Sequence, residues 1–152
     1  MRIWTGIAAA LLAVPTAALA CSCMNTDNPV ELRAFAADAA KDAVALVEAE
    51  TLVTYEASGR AGESMRVIRT LAGQAAPNFR IAREHFPSSA SCDILYEKGQ
   101  RAVMILYPVA SDATGEQVYR TSGLCTGLLL DKPAFRDEVA RHIGSKSSTE
   151  RG

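Results

Sequence analysis

Two cysteines one residue apart, Cys21 and Cys23, follow directly on Ala18-Leu19-Ala20, which places small residues at the two positions a signal peptidase reads. Cleavage after Ala20 makes Cys21 the first residue of the exported chain, with a free α-amino group beside its own carbonyl oxygen. Those two atoms form a chelating claw for a metal ion that keeps an open coordination position. An α-amine with an ordinary pKa of about 7.7–8.0 gives up its proton near neutrality at a cost of about 1 kcal/mol, which metal binding readily offsets.

The chain has four cysteines, Cys21, Cys23, Cys92 and Cys125. Ala-Leu-Ala-Cys loosely resembles a bacterial lipoprotein box, but lipidation of Cys21 would leave one of the other three unpaired in an oxidising compartment. The even count favours two disulfides. A bond between Cys21 and Cys23 would close a strained ring far from relaxed disulfide geometry, so each reaches a distant partner, and two pairings stay open. Loops this long contribute about 4 kcal/mol each in the chain-entropy account, a large share of a small domain's stability.

Other residue groups offer weaker chemistry. Cys21, Cys23 and Met24 could hold Cu(I) as soft ligands, which requires reduced thiols where disulfides are favoured. Gly123-Leu124-Cys125-Thr126-Gly127 has the form of a nucleophile elbow with His85 or His142 as base. A disulfide-bonded cysteine is no nucleophile, and the elbow belongs to a larger α/β sheet. His85 beside Glu84 reads as a solvated strand-edge pair, and His142 as a cation near the end of a helix. Tyr96, Tyr107 and Tyr119 read as barrel packing, because no basic groove accompanies them for stacking nucleic-acid bases.

The elements that must position the cysteines begin after the leader, whose apolar run from Ile3 to Val14 ends at Pro15 and is too short to span a bilayer. Taking its 20 residues from 152 leaves enough chain for one domain, residues 21–144, followed by a polar tail from Ser145 to Gly152. The whole chain carries a net charge of −1, and losing Arg2 with the leader makes it one unit more negative. That balance excludes nucleic acid as a partner, and no basic stripe suits a membrane surface.

Pro29 stands at a helix entry, with Val30, Leu32, Phe35 and Ala36 or Ala39 at helical spacing. Strands follow at Ala43 to Val53 and Ser64 to Leu71, with Gly59 and Gly62 marking the turn between them. Further strands are expected at Asn78 to Arg83, Arg101 to Tyr107 and Gln117 to Thr121. After Leu128-Leu129-Leu130 and Pro133, a stripe of Phe135, Val139 and Ile143 predicts a closing helix. The fold class is mainly β: a five-stranded Greek-key OB-fold barrel with flanking N- and C-terminal helices.

Cys21-Ser22-Cys23, Ala34-Phe35 with Ala37-Asp38, the run Val67 to Gly73, Ser88-Ser89-Ala90-Ser91-Cys92 followed by Gly99 and an apolar strand, and Leu124-Cys125 occur in that order across most of the mature chain. In this the sequence resembles the N-terminal inhibitory domain of the tissue inhibitors of metalloproteinases, a netrin-like OB-fold module, as a short, bacterial-type homologue. The resemblance implies the pairs Cys21–Cys92 and Cys23–Cys125. It also implies a secreted or periplasmic inhibitor that is not an enzyme and has no cofactor of its own. Its partner would be a zinc metalloproteinase whose catalytic zinc the Cys21 amine and carbonyl chelate. Cys21, Ser22, Cys23 and Met24 would enter the protease cleft, with Ser89, Ala90 and Ser91 as a second edge. Ala36 stands where the animal inhibitors have a further cysteine. The protein would act as a monomer away from the membrane. The alternative is a non-inhibitory envelope interaction module of the same fold, which could be a lipoprotein.

Overall fold

The computed structural model describes residues 23, 27–57, 60–83, 92–109 and 116–149. In chain order the elements are α1 (Pro29–Ala40), β1 (Ala45–Ala57), β2 (Arg60–Gly73), β3 (Asn78–Ile81), β4 (Arg101–Pro108), β5 (Val118–Thr121), α2 (Leu124–Leu130) and α3 (Pro133–Thr149). β1 and β2 form a long antiparallel hairpin from Ala45 opposite Gly73 to Ala57 opposite Arg60, with register shifts at Leu46/Val47, Glu48/Ala49 and Thr51/Val53. Such irregularities bend a strand and increase its twist, so the sheet curls. The other edge of β1 then meets β4, from Ala45 opposite Leu106 to Glu50 opposite Arg101. β3 pairs with β2, β5 joins β3 in parallel, and β4 completes the closed circuit β1-β2-β3-β5-β4. This is a five-stranded OB-type barrel with helices packed outside it.

Period-two alternation sorts side chains between two apolar clusters. Ala45, Val47, Ala49, Met65, Phe79, Ile81, Tyr96, Met104, Leu106 and Tyr119 fill the barrel, with the Phe79 ring edge-on to Tyr119 at 5.4 Å. Leu46 and Ile105, the intervening residues of β1 and β4, point outward into a second cluster. There they meet Ala36 and Ala40 of α1, Leu129 and Leu130 of α2, and Phe135, Val139 and Ile143 of α3.

Helix α1 starts where Asn28 accepts a hydrogen bond from the Val30 amide and Pro29 needs none of its own, a favourable N-terminal pairing. Its last carbonyls are capped by side chains from distant elements. The Tyr107 hydroxyl donates to Ala39 O at 2.7 Å, and Lys146 Nζ donates to Ala40 O at 2.7 Å and also to Lys41 O. A cation at these carbonyls also complements the helix dipole. Ala36 is wholly buried in the cluster between the helices and the barrel, beside which Phe35 stacks on Phe135.

Five details depart from the pattern-based expectation. Val30 is 71 % exposed, because the apolar stripe of α1 runs through Leu32, Phe35, Ala36, Ala39 and Ala40 instead. Gly62 is not in the turn but inside β2 opposite Tyr55, since the ladder continues to Ala57 and Arg60; Gly59 lies outside the described residues. β3 ends at Ile81, leaving Arg83 beyond the ladder. Helix α2 covers Leu124–Leu130, a stretch whose Gly123–Gly127 pattern has the form of a nucleophile elbow and gives no helical stripe. α3 continues through Thr149 into the stretch whose composition suggests a polar tail, held there by the Lys146 contact with α1.

Gly73 has φ +73°, and a Cβ there would lie 2.1 Å from the backbone oxygen of Val44. Both the conformation and the space demand glycine. Gly73→Ala is expected to destabilise the fold by about 3 kcal/mol, measured by urea and thermal melts, with a smaller loss of about 1 kcal/mol for Gly99→Ala, where φ is +81° but a Cβ meets nothing within 4 Å.

Candidate functional site: the disulfide-clamped N-terminal segment

Helix α2 is too short to hold itself by propensity, and its position is set by what crosses it. Cys125 in its first turn is bonded to Cys23, with Cα atoms 5.0 Å apart and 102 positions between them in sequence. A loop of that length restricts the unfolded chain by about 4–5 kcal/mol in the chain-entropy account. The Cys23–Cys125 pair fits an oxidising extracellular or periplasmic environment. It also removes the cysteine elbow, because Cys125 carries no free thiol, and takes Cys23 away from any soft-metal set.

Cys92 lies against the same helix. Its carbonyl accepts a hydrogen bond from the Leu124 amide at 2.8 Å, its φ is +53°, and it is disulfide-bonded. Gly127 gives the Ile94 side chain room against α2, since a Cβ there would be 2.3 Å from Ile94 Cδ1, whereas a Cβ on Gly123 would only touch Cys92 O at 3.4 Å. The backbone thus brings Cys92 and Cys125, and through Cys125 the N-terminal Cys23, to one end of the barrel.

Of the residues expected at the protease edge, Cys23 is the one described. Cys21, Ser22, Met24, Ser89, Ala90 and Ser91 lie outside the described residues, as do Glu84 and His85. His142 lies within α3, where Glu138 Oε1 is 3.3 Å from its Nε2, rather than at the helix end. Arg141 holds the Glu138 carboxyl below its usual range by hydrogen bonding. Tyr96 and Tyr119 pack inside the barrel, while Tyr107 packs with the helices. Among the described residues, no group of three His, Cys, Asp or Glu is placed to hold a metal ion.

The structure adds a pair that sequence reasoning missed. Glu63 of β2 is fully buried and receives Arg83 Nε at 2.8 Å, Arg83 Nη2 at 2.5 Å and the Tyr96 amide at 3.2 Å. Arg83 Nη2 also donates to Ile94 O, and its guanidinium carbon lies 6.0 Å from the centre of the Tyr96 ring. Half of the signal was present: Glu63 is two positions before Met65 on β2, so alternation puts it on the barrel-facing row, whereas Arg83 lies beyond the end of β3.

Burial pushes the Tyr96 hydroxyl up to about 12, opposed by the charge of Arg83, raised by Glu63 and lowered by a hydrogen bond with Thr121. Burial likewise moves Tyr107 to about 12, helped by the negative charges of Asp38 and Asp42. No family model matches the chain, and no curated protein sequence matches it.

Two outcomes follow. Removing one partner of the buried pair strands the other, so Glu63→Ala is expected to cost about 3–5 kcal/mol in urea denaturation. Both tyrosines have folded values above the unfolded value of 10, so their stabilisation is complete below pH 10 and lost as pH rises toward 12. Alkaline melts should show stability falling across that window, with tyrosinate absorbance from Tyr96 and Tyr107 lagging the exposed tyrosine of an unfolded control.

Proposed function

We propose that this chain inhibits zinc metalloendopeptidases by presenting the Cys21 α-amine and carbonyl to the catalytic zinc of the target. The observation that carries the reading is the Cys92 O–Leu124 N hydrogen bond beside the Cys23–Cys125 disulfide. It puts two disulfide-bonded positions, Cys92 and Cys125, side by side on one support. With Cys23 and Cys125 joined and Cys92 also bonded, Cys21 is the cysteine left in the sequence to pair with it. Two neighbouring clamps would fix a three-residue terminus at both ends.

Such a terminus loses little conformational freedom on entering a cleft, which is the usual advantage of preorganisation. A catalytic zinc with three protein ligands leaves a position that water occupies, and the neutral amine with its carbonyl oxygen would displace that water. In this reading Ser22 and Met24 enter the cleft beside the zinc, and Ser89, Ala90 and Ser91 form a second edge next to Cys92. The chain supplies no catalytic group, and the metal belongs to the target. Exposure of the amine requires export and cleavage after Ala20, in keeping with the disulfide chemistry. No helix among the described residues is long and apolar enough to cross a membrane.

The test is a chain extended by one alanine ahead of Cys21, compared with the processed protein against a panel of secreted zinc endopeptidases. Intact mass and non-reducing peptide maps would verify each terminus and its disulfides. Extension is expected to weaken inhibition by about a hundredfold or more, equivalent to about 3 kcal/mol, while melting temperature and disulfide map stay unchanged. Equal inhibition by the two proteins would end the amine-chelation reading. If the processed protein inhibits no member of the panel, the chain is an interaction module of the same fold.

A further inference from the structure

A buried ion pair is a poor way to gain stability, because desolvating both charges offsets most of their attraction and a well-packed apolar pair of similar volume does as well or better. The Glu63–Arg83 pair is nevertheless deeply enclosed, its side chains 0 % and 6 % exposed. What charge supplies that an apolar plug does not is direction. The planar guanidinium grips both carboxylate oxygens and has a further N–H for Ile94 O, while the same carboxylate takes the Tyr96 amide.

Those last two contacts fall on the backbone just after Cys92. Ile94 is at once hydrogen-bonded by Arg83 and seated over Gly127 of α2, two positions from Cys125. The Cys92 carbonyl, two residues earlier, is held by Leu124. Segment 92–96 is thereby fixed on the barrel side by Glu63 and Arg83 and on the helix side by α2. Cys92 itself is in a left-handed conformation that few side chains adopt, and such a conformation persists where its surroundings hold it.

We infer that Glu63 and Arg83 are positioning residues for the N-terminal claw: they set the backbone of Cys92, and through the disulfide on Cys92 they aim Cys21. The inference rests on the proposed function for its link to inhibition and on the Cys21–Cys92 pairing. Its link to the Cys92 disulfide stands apart from inhibition.

The test replaces both charges at once, Glu63→Leu with Arg83→Met, in the processed, oxidised protein. The double variant is expected to melt moderately below the parent: the desolvation cost of the pair disappears with its attraction, but the Tyr96 amide and Ile94 carbonyl lose their partners. Its inhibition of a susceptible zinc endopeptidase should weaken by about tenfold. Its Cys92 disulfide should open about tenfold more readily in a glutathione redox buffer, followed by peptide mapping, with Cys23–Cys125 unchanged. A role in stability alone would move the melt and leave the other two readings in place.

An unchanged inhibition constant together with an unchanged Cys92 equilibrium overturns the inference. Should the double variant fail to fold, Arg83→Lys keeps the charge and loses the fork. It is expected to raise Cys92 reducibility, and parent-like reducibility there likewise counts against positioning. A parent that inhibits no protease defeats the proposed function, and the Cys92 equilibrium then decides the positioning role by itself.

Discussion

Barrel closure is the constraint on which everything else rests, and it depends on how sharply β1 can bend. That strand is paired on both edges, to β2 along its whole length and to β4 over Ala45–Glu50, and three register shifts give it the necessary curvature. The inward residues where both partners converge are Ala45, Val47 and Ala49, small enough for Phe79, Met65, Met104 and Tyr119 to fill the interior from the other strands. Closure pairs both edges of β1 over Ala45–Glu50 and so removes that stretch as a template for association, a hazard that open sheets must cover in other ways. It also puts the outward residues of β1 and β4 under the helices.

With the barrel closed, the candidate site is a matter of three fastenings at one end. A covalent bond ties Cys23 to α2, backbone contacts tie α2 to segment 92–96, and a buried ion pair ties that segment to β2 and the residue beyond β3. They differ in kind. The disulfide acts mainly on the unfolded chain, glycine on permitted distance, and the ion pair on orientation. None would be replaced by simply enlarging the core.

The barrel was legible in the sequence because alternation is a strong local signal. Met65 with Val67, and Met104 with Leu106, mark one face of β2 and β4, and Pro77 and Gly99 fall between strands while Gly73 and Pro108 end them. The helix entry at Asn28-Pro29 was equally local. What escaped was decided by distant contacts. α2 forms although Gly127 weakens it, because glycine is what admits Ile94. α3 outruns its apolar stripe because Lys146 finds the carbonyls of Ala40 and Lys41. Of the site, the four cysteines were legible from position and count and the Cys23–Cys125 pair from the family resemblance, whereas nothing singled out Glu63 and Arg83 as a pair. Alternation puts Glu63 on the inward row, but only the closed barrel brings Arg83 to it.

The cap on α1 has a consequence for the order of events in folding. Its donors, Tyr107 and Lys146, lie 68 and 106 positions along the chain from the carbonyls they satisfy. A chain emerging from its N-terminus exposes the α1 segment first and the residue that finishes it among the last. Contacts of such separation are slow to find. The cap of α1 can therefore close only once β4 and α3, which carry its two donors, lie against it.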